Sequence, residues 1–258
     1  MRERWHISTI ASDAPRLAHE HDLGLEIAEF CTPSNMDRDF VIWDAVVRKA
    51  IEGIREQTGL LTLHAPYGGL CPAEVDPLIV EVTRKRYEQA YALAQRYGAD
   101  RLIVHSGYLP VLFFEEWFVE QSVDFWREFL HDKDDSVLIT LENVFEPDPV
   151  IPAAIAREVD DPRMRLCLDL GHANCSGHAT PASAWVDAFA PWLAHVHVHN
   201  NKGHRDEHLP PDQGTLDIPG LIGCIREKAP EASFTLECRD GAAGVDWLTH
   251  FYQSQSPS

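Results

Sequence analysis

Residues 195–208 read HVHVHNNKGHRDEH, a run that carries five of the protein's 14 histidines together with Lys202, Asp206 and Glu207. His195, His197 and His199 alternate with Val196 and Val198, so on a β-strand all three imidazoles leave one face. A packed core has no need of such a face. The pattern makes chemical sense if other strands end in residues that meet these imidazoles around a metal.

Outward from this run, short apolar segments alternate with longer amphipathic ones, repeating about every 32 residues as βα units would. The strand candidates are Arg4 to Thr9, Gly24 to Phe30, Leu60 to His64, Arg101 to His105, Val137 to Glu142, Arg165 to Asp169, Ala194 to His199 and Ser233 to Glu237. Segments such as RLIVH and VLITLE are nearly continuous in apolar residues, as expected of strands covered on both faces. Among the helix candidates, Glu81 to Tyr97 spaces Ala90, Leu93, Ala94 and Tyr97 at helical intervals, and Gly98 supplies a stop. Others cover Asp13 to His21, Asp39 to Gln57, Glu115 to His131, Pro149 to Val159, Pro181 to Ala190, Ile218 to Lys228 and Gly244 to Tyr252. The pattern predicts one domain over residues 1–258, an α/β fold closed into an eight-stranded (β/α)8 barrel, with a frayed tail at 253–258.

Six consecutive strand candidates end in a metal-capable or acid–base residue: His64, His105, Glu142, Asp169, His197 and Glu237. In a parallel barrel all strand C-termini open on one face, so these six side chains converge although they are far apart in sequence. Imidazoles and carboxylates without a thiolate suit zinc, manganese, iron or cobalt. A single histidine or glutamate at a strand end is more often a solvated or hydrogen-bonded residue than a ligand, and it is the joint occurrence that argues for a site. Just beyond them, His172, Asp206 and His208 could form a further three-ligand set with a position open to water or substrate. His6, His19, His21, His131, His178 and His250 show no partner pattern and read as surface or packing residues. His195 should lie deeper in the barrel than His197, and His199 nearer the rim.

The net charge of −19, from 41 acidic and 22 basic residues, opposes a nucleic acid partner. The short basic cluster Arg84, Lys85 and Arg86 reads as a solvated helix face. Six cysteines lie far apart without a Cys-x-x-Cys pair, which suggests neither disulfides nor a thiolate zinc site. The segment MRERWHIST lacks an apolar signal region, and no apolar run reaches the roughly 18 residues of a membrane span. A cytoplasmic location is the simplest expectation.

The ordered motifs LHAPY, VHSGY, LEN, DLGHAN, HVHVHNNKGHRDEHLP and TLEC resemble the xylose isomerase-like TIM barrel superfamily, which includes sugar phosphate isomerases and epimerases and the endonuclease IV-like abasic-site nucleases. The resemblance covers nearly the whole chain. Its nuclease pattern implies one metal on His64, His105 and Glu142, a second on Glu142, Asp169, His197 and Glu237, and a third on His172, Asp206 and His208. Its isomerase pattern implies a single cation on Glu142, Asp169, His197 and Glu237. One to three divalent ions, zinc or manganese, are therefore expected.

The loops APYGGLCPAEVD, SGYLPVLFFEE and NVFEPDPV are acidic or apolar, unlike a duplex-binding surface. The leading expectation is thus a metal-dependent isomerase or epimerase of a sugar, sugar phosphate or related hydroxy-carbonyl compound, acting through a stabilised enediolate. Its resemblance to sugar epimerases implies that Glu142 and Glu237 exchange the carbon-bound proton. His172, Lys202, Arg205 and Arg239 are candidates for orienting the polyhydroxylated substrate, and a homo-oligomer is possible. The alternative is a multinuclear phosphoesterase or abasic-site nuclease. A non-catalytic sugar-binding module is the third reading.

Overall fold

The computed structural model describes residues 4–175 and 180–255. Eight strands, β1 (Trp5–Ser8), β2 (Gly24–Ile27), β3 (Leu61–His64), β4 (Arg101–His105), β5 (Leu138–Glu142), β6 (Met164–Asp169), β7 (Leu193–Val198) and β8 (Ser233–Leu236), pair in parallel and in chain order. The sheet closes where β1 pairs with β8, with Trp5 opposite Phe234 and Ile7 opposite Leu236. This is the expected (β/α)8 TIM barrel.

Alternation along each strand divides the residues between two environments. Ile7, Leu25, Ile27, Leu61, Leu63, Leu102, Val104, Ile139, Leu141, Leu166, Leu168, Val196, Val198, Phe234 and Leu236 join the helices in one buried apolar cluster. The intervening positions are also buried but largely polar, among them His6, Glu26, Thr62, His64, Thr140, Glu142, Asp169, His195, His197, Ser233 and Thr235. The apolar runs seen in the sequence therefore overstate the apolar character of the interior. The outward face supplies the hydrophobic layer, and the inward face is a chain of hydrogen-bonding groups that must satisfy one another.

The helices are α1 (Ala14–Glu20), α2 (Phe40–Gln57), α3 (Pro77–Tyr97), α4 (Glu115–Leu130), α5 (Val150–Val159), α6 (Leu170–Cys175), α7 (Ala182–Phe189), α8 (Ile218–Lys228) and α9 (Gly241–Gln255). Helix α3 starts one turn before the expected Glu81, because Asp76 caps it by accepting from Leu78 N at 2.9 Å and Pro77 suits its first turn. Gly98, at φ 73°, ends it as expected. Strand β2 stops at Ile27 rather than Phe30, and 3-10 turns over Glu29–Cys31 and Pro33–Met36 carry the chain across the barrel mouth. Helix α6 has no counterpart in the sequence reading. It begins directly after β6, where Asp169 Oδ1 accepts from His172 N at 2.6 Å. His178 and the last tail residues, 256–258, lie outside the described residues.

Candidate metal and sugar site

The strand ends do converge. Glu142, at the end of β5, turns Oε2 toward His64 Nε2 at 3.1 Å and His105 Nε2 at 3.4 Å. Its other oxygen, Oε1, lies 3.2 Å from His172 Nδ1 and 3.5 Å from His197 Nδ1. His197 Nδ1 is in turn 3.5 Å from Asp169 Oδ2 and 3.3 Å from Glu237 Oε2. His64, Glu142, Asp169, His197 and Glu237 are all buried. Each of the groups His64–His105–Glu142, Glu142–Asp169–His172 and Asp169–His197–Glu237 brings its donor atoms within 4.8 Å of one another.

Position follows from local structure. Asn143, just after β5, donates from Nδ2 to Asp169 O at 3.1 Å and accepts from Asp169 N at 2.9 Å, which ties the loops after β5 and β6 together. Asn201 Nδ2 donates to Gly171 O at 2.7 Å, joining the loop after β7 to α6. That loop folds back on itself through paired hydrogen bonds between Asn200 and Leu209, each 2.9 Å. Asp206 and His208 are thereby brought over the mouth.

Electrostatics reflect the crowding. Glu142 and Asp169 are buried, which alone would raise their pKa, but neighbouring imidazoles outweigh the burial and hold both carboxyls well below the ordinary range. Burial would lower His172 and His197, yet the surrounding groups hold both well above the ordinary histidine value, Asp169 foremost at His172 and Cys167 and Glu237 at His197. For His105 and Glu237 burial wins, lowering the imidazole and raising the carboxyl. Imidazoles and carboxylates thus offset one another's burial throughout the site.

This arrangement leaves specific atoms unused. His197 Nδ1 and Glu237 Oε2 face each other at 3.3 Å, yet both are buried without a hydrogen-bond partner. A buried imidazole nitrogen and a buried carboxylate oxygen without hydrogen-bond partners are costly unless something binds them. The donor set of imidazole nitrogens and carboxylate oxygens fits a divalent cation such as zinc or manganese.

A cavity of about 720 Å³ opens above this floor. His64, His105, Glu142, His172, Asp206, His208 and Glu237 contribute to its walls, with Tyr67, Phe145 and Trp43 as aromatic neighbours. No lysine or arginine lines it among the described residues. Lys202, Arg205 and Arg239 are exposed and stand outside this lining.

Two residues, Glu26 and His199, join the site from outside the ligand sets expected from the sequence. Glu26, fully buried on β2, places Oε2 3.3 Å from Nε2 of both His195 and His197, 2.9 Å from Thr235 Oγ1 and 3.2 Å from Thr62 Oγ1. Its signal was a lone carboxylate inside an otherwise apolar strand. His199, just past β7, bonds Asp169 through Nε2 at 3.0 Å and stacks on His208 with ring centroids 4.1 Å apart. His195 does lie deeper, bonded to Ser233 Oγ at 2.6 Å and Thr235 Oγ1 at 2.8 Å.

Residues 17–253 match the family of xylose isomerase-like TIM barrel proteins. The chain belongs to that family. This xylose isomerase-like barrel is similar to the uncharacterized protein MJ1311 of Methanocaldococcus jannaschii, 24% identical over 205 residues, which cover 75% of this chain and 70% of the relative. Among solved structures, a D-tagatose 3-epimerase-like protein superposes with a TM-score of 0.77 at 20% identity, covering 97% of each chain. The TTHB071 protein from Thermus thermophilus, solved after soaking with ZnCl2, gives a TM-score of 0.74 at 22% identity over 100% of each chain. At these identities the likeness speaks for the fold.

Proposed function

We propose that this xylose isomerase-like barrel is a metal-dependent epimerase or isomerase of an unphosphorylated, polyhydroxylated hydroxy-carbonyl compound, such as a ketose. The observation that carries the reading is the placement of Glu142 and Glu237 around one atom, His197 Nδ1, beneath a cavity that no lysine or arginine lines among the described residues. A phosphorylated sugar brings about two negative charges. Among the described residues the walls contain Glu29, Glu142, Asp206 and Glu237 and no lysine or arginine to receive them. Neutral hydroxyls, in contrast, find carboxylates and imidazoles to hydrogen-bond, and aromatic rings of Tyr67 and Phe145 to cover their apolar faces.

Glu142, Asp169, His197 and Glu237 would hold the cation, zinc or manganese. When bound, it supplies Lewis-acid stabilisation for negative charge developing on a carbonyl oxygen. Glu142 and Glu237 approach the bound sugar from different strands, β5 and the end of β8. One takes the proton from the carbon beside the carbonyl, and the other returns a proton to that carbon or its neighbour. His172, bonded through Nδ1 to Asn143 O at 3.0 Å, orients a substrate hydroxyl. The similarity to a D-tagatose 3-epimerase-like structure supports a sugar as substrate class.

The hydrolase reading keeps one observation in its favour, the convergence of His64 and His105 on Glu142 Oε2. The two readings separate in one comparison: metal-loaded protein is offered free ketoses, their phosphates, phosphodiesters and duplex DNA with an abasic site. Turnover of a free ketose with little activity on the phosphates is expected. Strong cleavage of abasic DNA, lost in Glu142→Gln, would overturn the proposal.

A further inference from the structure

The loops after β3, β4 and β5 enclose a second cavity of about 330 Å³ beside the one over the strand ends. Its walls are mostly apolar, with Leu70, Ile79, Tyr108, Leu109, Val144 and Phe145 among them. Small-molecule pockets, of about 300–1,000 Å³, are lined in this way. Tyr67, His105, Val144 and Phe145 belong to the walls of both cavities, so the two chambers adjoin along one side. At this boundary the Tyr67 ring lies flat against His105, with centroids 4.4 Å apart and 13° between the planes.

Buried polar groups hold the walls of the apolar chamber in place. Glu146, itself buried, accepts through Oε2 from Val144 N at 2.7 Å and through Oε1 from the hydroxyl of Ser106. Ser106 Oγ in turn accepts from Tyr108 N at 3.0 Å, so one carboxyl group joins the loop after β4 to the loop after β5. Cys71 N donates to the buried Thr83 Oγ1 at 3.0 Å, which pins the loop after β3 to α3. At Gly107, φ 78°, a Cβ would stand 2.9 Å from Leu70 O and from Cys71 Cα, so the loops after β3 and β4 meet backbone to backbone. The rim of this fixed hollow is open to water, with Tyr67, Leu109 and Phe145 exposed by 47%, 43% and 52%. Apolar surface held in such a shape favours a ligand that takes it out of water.

We infer that this chamber is an apolar subsite and that the substrate is a hydroxy-carbonyl compound bearing a ring-sized aryl or alkyl substituent. The hydroxylated part lies over Glu142 and Glu237, and the substituent passes Tyr67 into the space between Leu70, Leu109 and Phe145. The shared walls favour part of the substrate as occupant, because a molecule seated in the first chamber touches walls of the second. No lysine or arginine lines the chamber among the described residues, and Glu74 opposes an anionic substituent. A bare ketose fills the polar chamber alone and binds more weakly. The inference rests on the proposed epimerase or isomerase reading, from which it takes the polar half of the substrate.

The test compares D-fructose with two of its benzyl ethers, one substituted at each end of the carbon chain, by calorimetric titration of the metal-loaded full chain, wild type and Gly68→Leu. Gly68 lines the apolar chamber, has nothing within 4 Å of the Cβ it lacks and lies outside the left-handed region, so leucine adds bulk there without a clash. Expected is an ether that binds wild type roughly 10- to 100-fold more tightly than D-fructose, as burial of a phenyl-sized group gives, and that loses most of this advantage in Gly68→Leu. No gain from either ether in wild type overturns the inference, and so does a gain that Gly68→Leu leaves intact. If D-fructose meanwhile exchanges a carbon-bound hydrogen for solvent deuterium, the proposed function stands without the subsite. A gain confined to wild type, with no hydrogen exchanged in any of the three compounds, removes the proposed function and keeps the apolar subsite.

Discussion

Glu26 and His197 meet at 3.3 Å, carboxylate Oε2 to imidazole Nε2, on strands 171 residues apart and without solvent access. The contact assigns the two nitrogens of His197 different tasks. Nε2 is engaged by Glu26, which leaves Nδ1 as the atom directed at Glu142, Asp169 and Glu237. Glu26 is itself held by Thr62 and Thr235, so the orientation of His197 is built into the barrel interior.

Removing the charge of Glu26 while keeping its shape should therefore loosen the metal without opening a cavity. Glu26→Gln is expected to weaken zinc or manganese binding roughly 10- to 100-fold, the usual cost of losing a carboxylate behind a ligating histidine. Competition against a chromophoric chelator measures it. Unchanged affinity would show that His197 does not depend on this partner.

Gly171→Ala puts a methyl group where His199 now sits, at 1.9 Å from Cε1. Overpacking of this kind costs roughly 1–3 kcal/mol. The displaced ring also loses its bond to Asp169. Urea unfolding should show the destabilisation, with a midpoint below that of wild type, and an unchanged midpoint would mean that the loop yields freely.

Acid sensitivity should have a contribution far from the mouth. Asp44 on α2 accepts from Arg96 Nε at 3.1 Å, Arg48 Nε at 3.0 Å and Tyr97 Oη at 2.8 Å. Burial raises its pKa, but these partners, Arg96 first, outweigh it and bring the carboxyl down to about 2. Because the folded value lies below the ordinary 3.8, the stabilisation is fully present above about pH 4 and is lost as pH falls through about 2. Asp44→Asn should cost about 1 kcal/mol at pH 7 after solvent screening is allowed for. The deficit should shrink as pH falls below about 4 and vanish below about 2 in denaturation curves of the two proteins.

The barrel and the convergence at its mouth were legible because both depend on short-range signals. Strands β3 to β6 each end on His64, His105, Glu142 or Asp169, and parallel closure brings those ends together wherever they fall in the chain. Glu26 was hidden because the apolar run GLEIAEF reads as one strand to Phe30, whereas the strand ends at Ile27 and leaves Glu26 one residue short of the rim. Alternation correctly placed His195, His197 and His199 on one side, but the contact of His199 with Asp169 depends on the path of the chain after Val198, fixed by Asn200 and Asn201. Lys202, Arg205 and Arg239 illustrate the opposite case. Their proximity in sequence to ligand-type residues carries no information about side-chain direction on a loop, and all three point outward to exposure.

No helix among the described residues is long and apolar enough to cross a membrane. On the proposed reading, the cavity with its acidic and aromatic walls is where this xylose isomerase-like barrel meets its substrate.

That reading is most directly tested by proton NMR in deuterated water, following the carbon-bound hydrogens of unphosphorylated ketoses with the zinc- or manganese-loaded protein. Loss of one hydrogen signal beside the carbonyl is expected as solvent deuterium enters, dependent on metal and abolished in Glu142→Gln and Glu237→Gln. Retention of every carbon-bound hydrogen across the panel, with phosphodiesters cleaved by the same preparation, would contradict it.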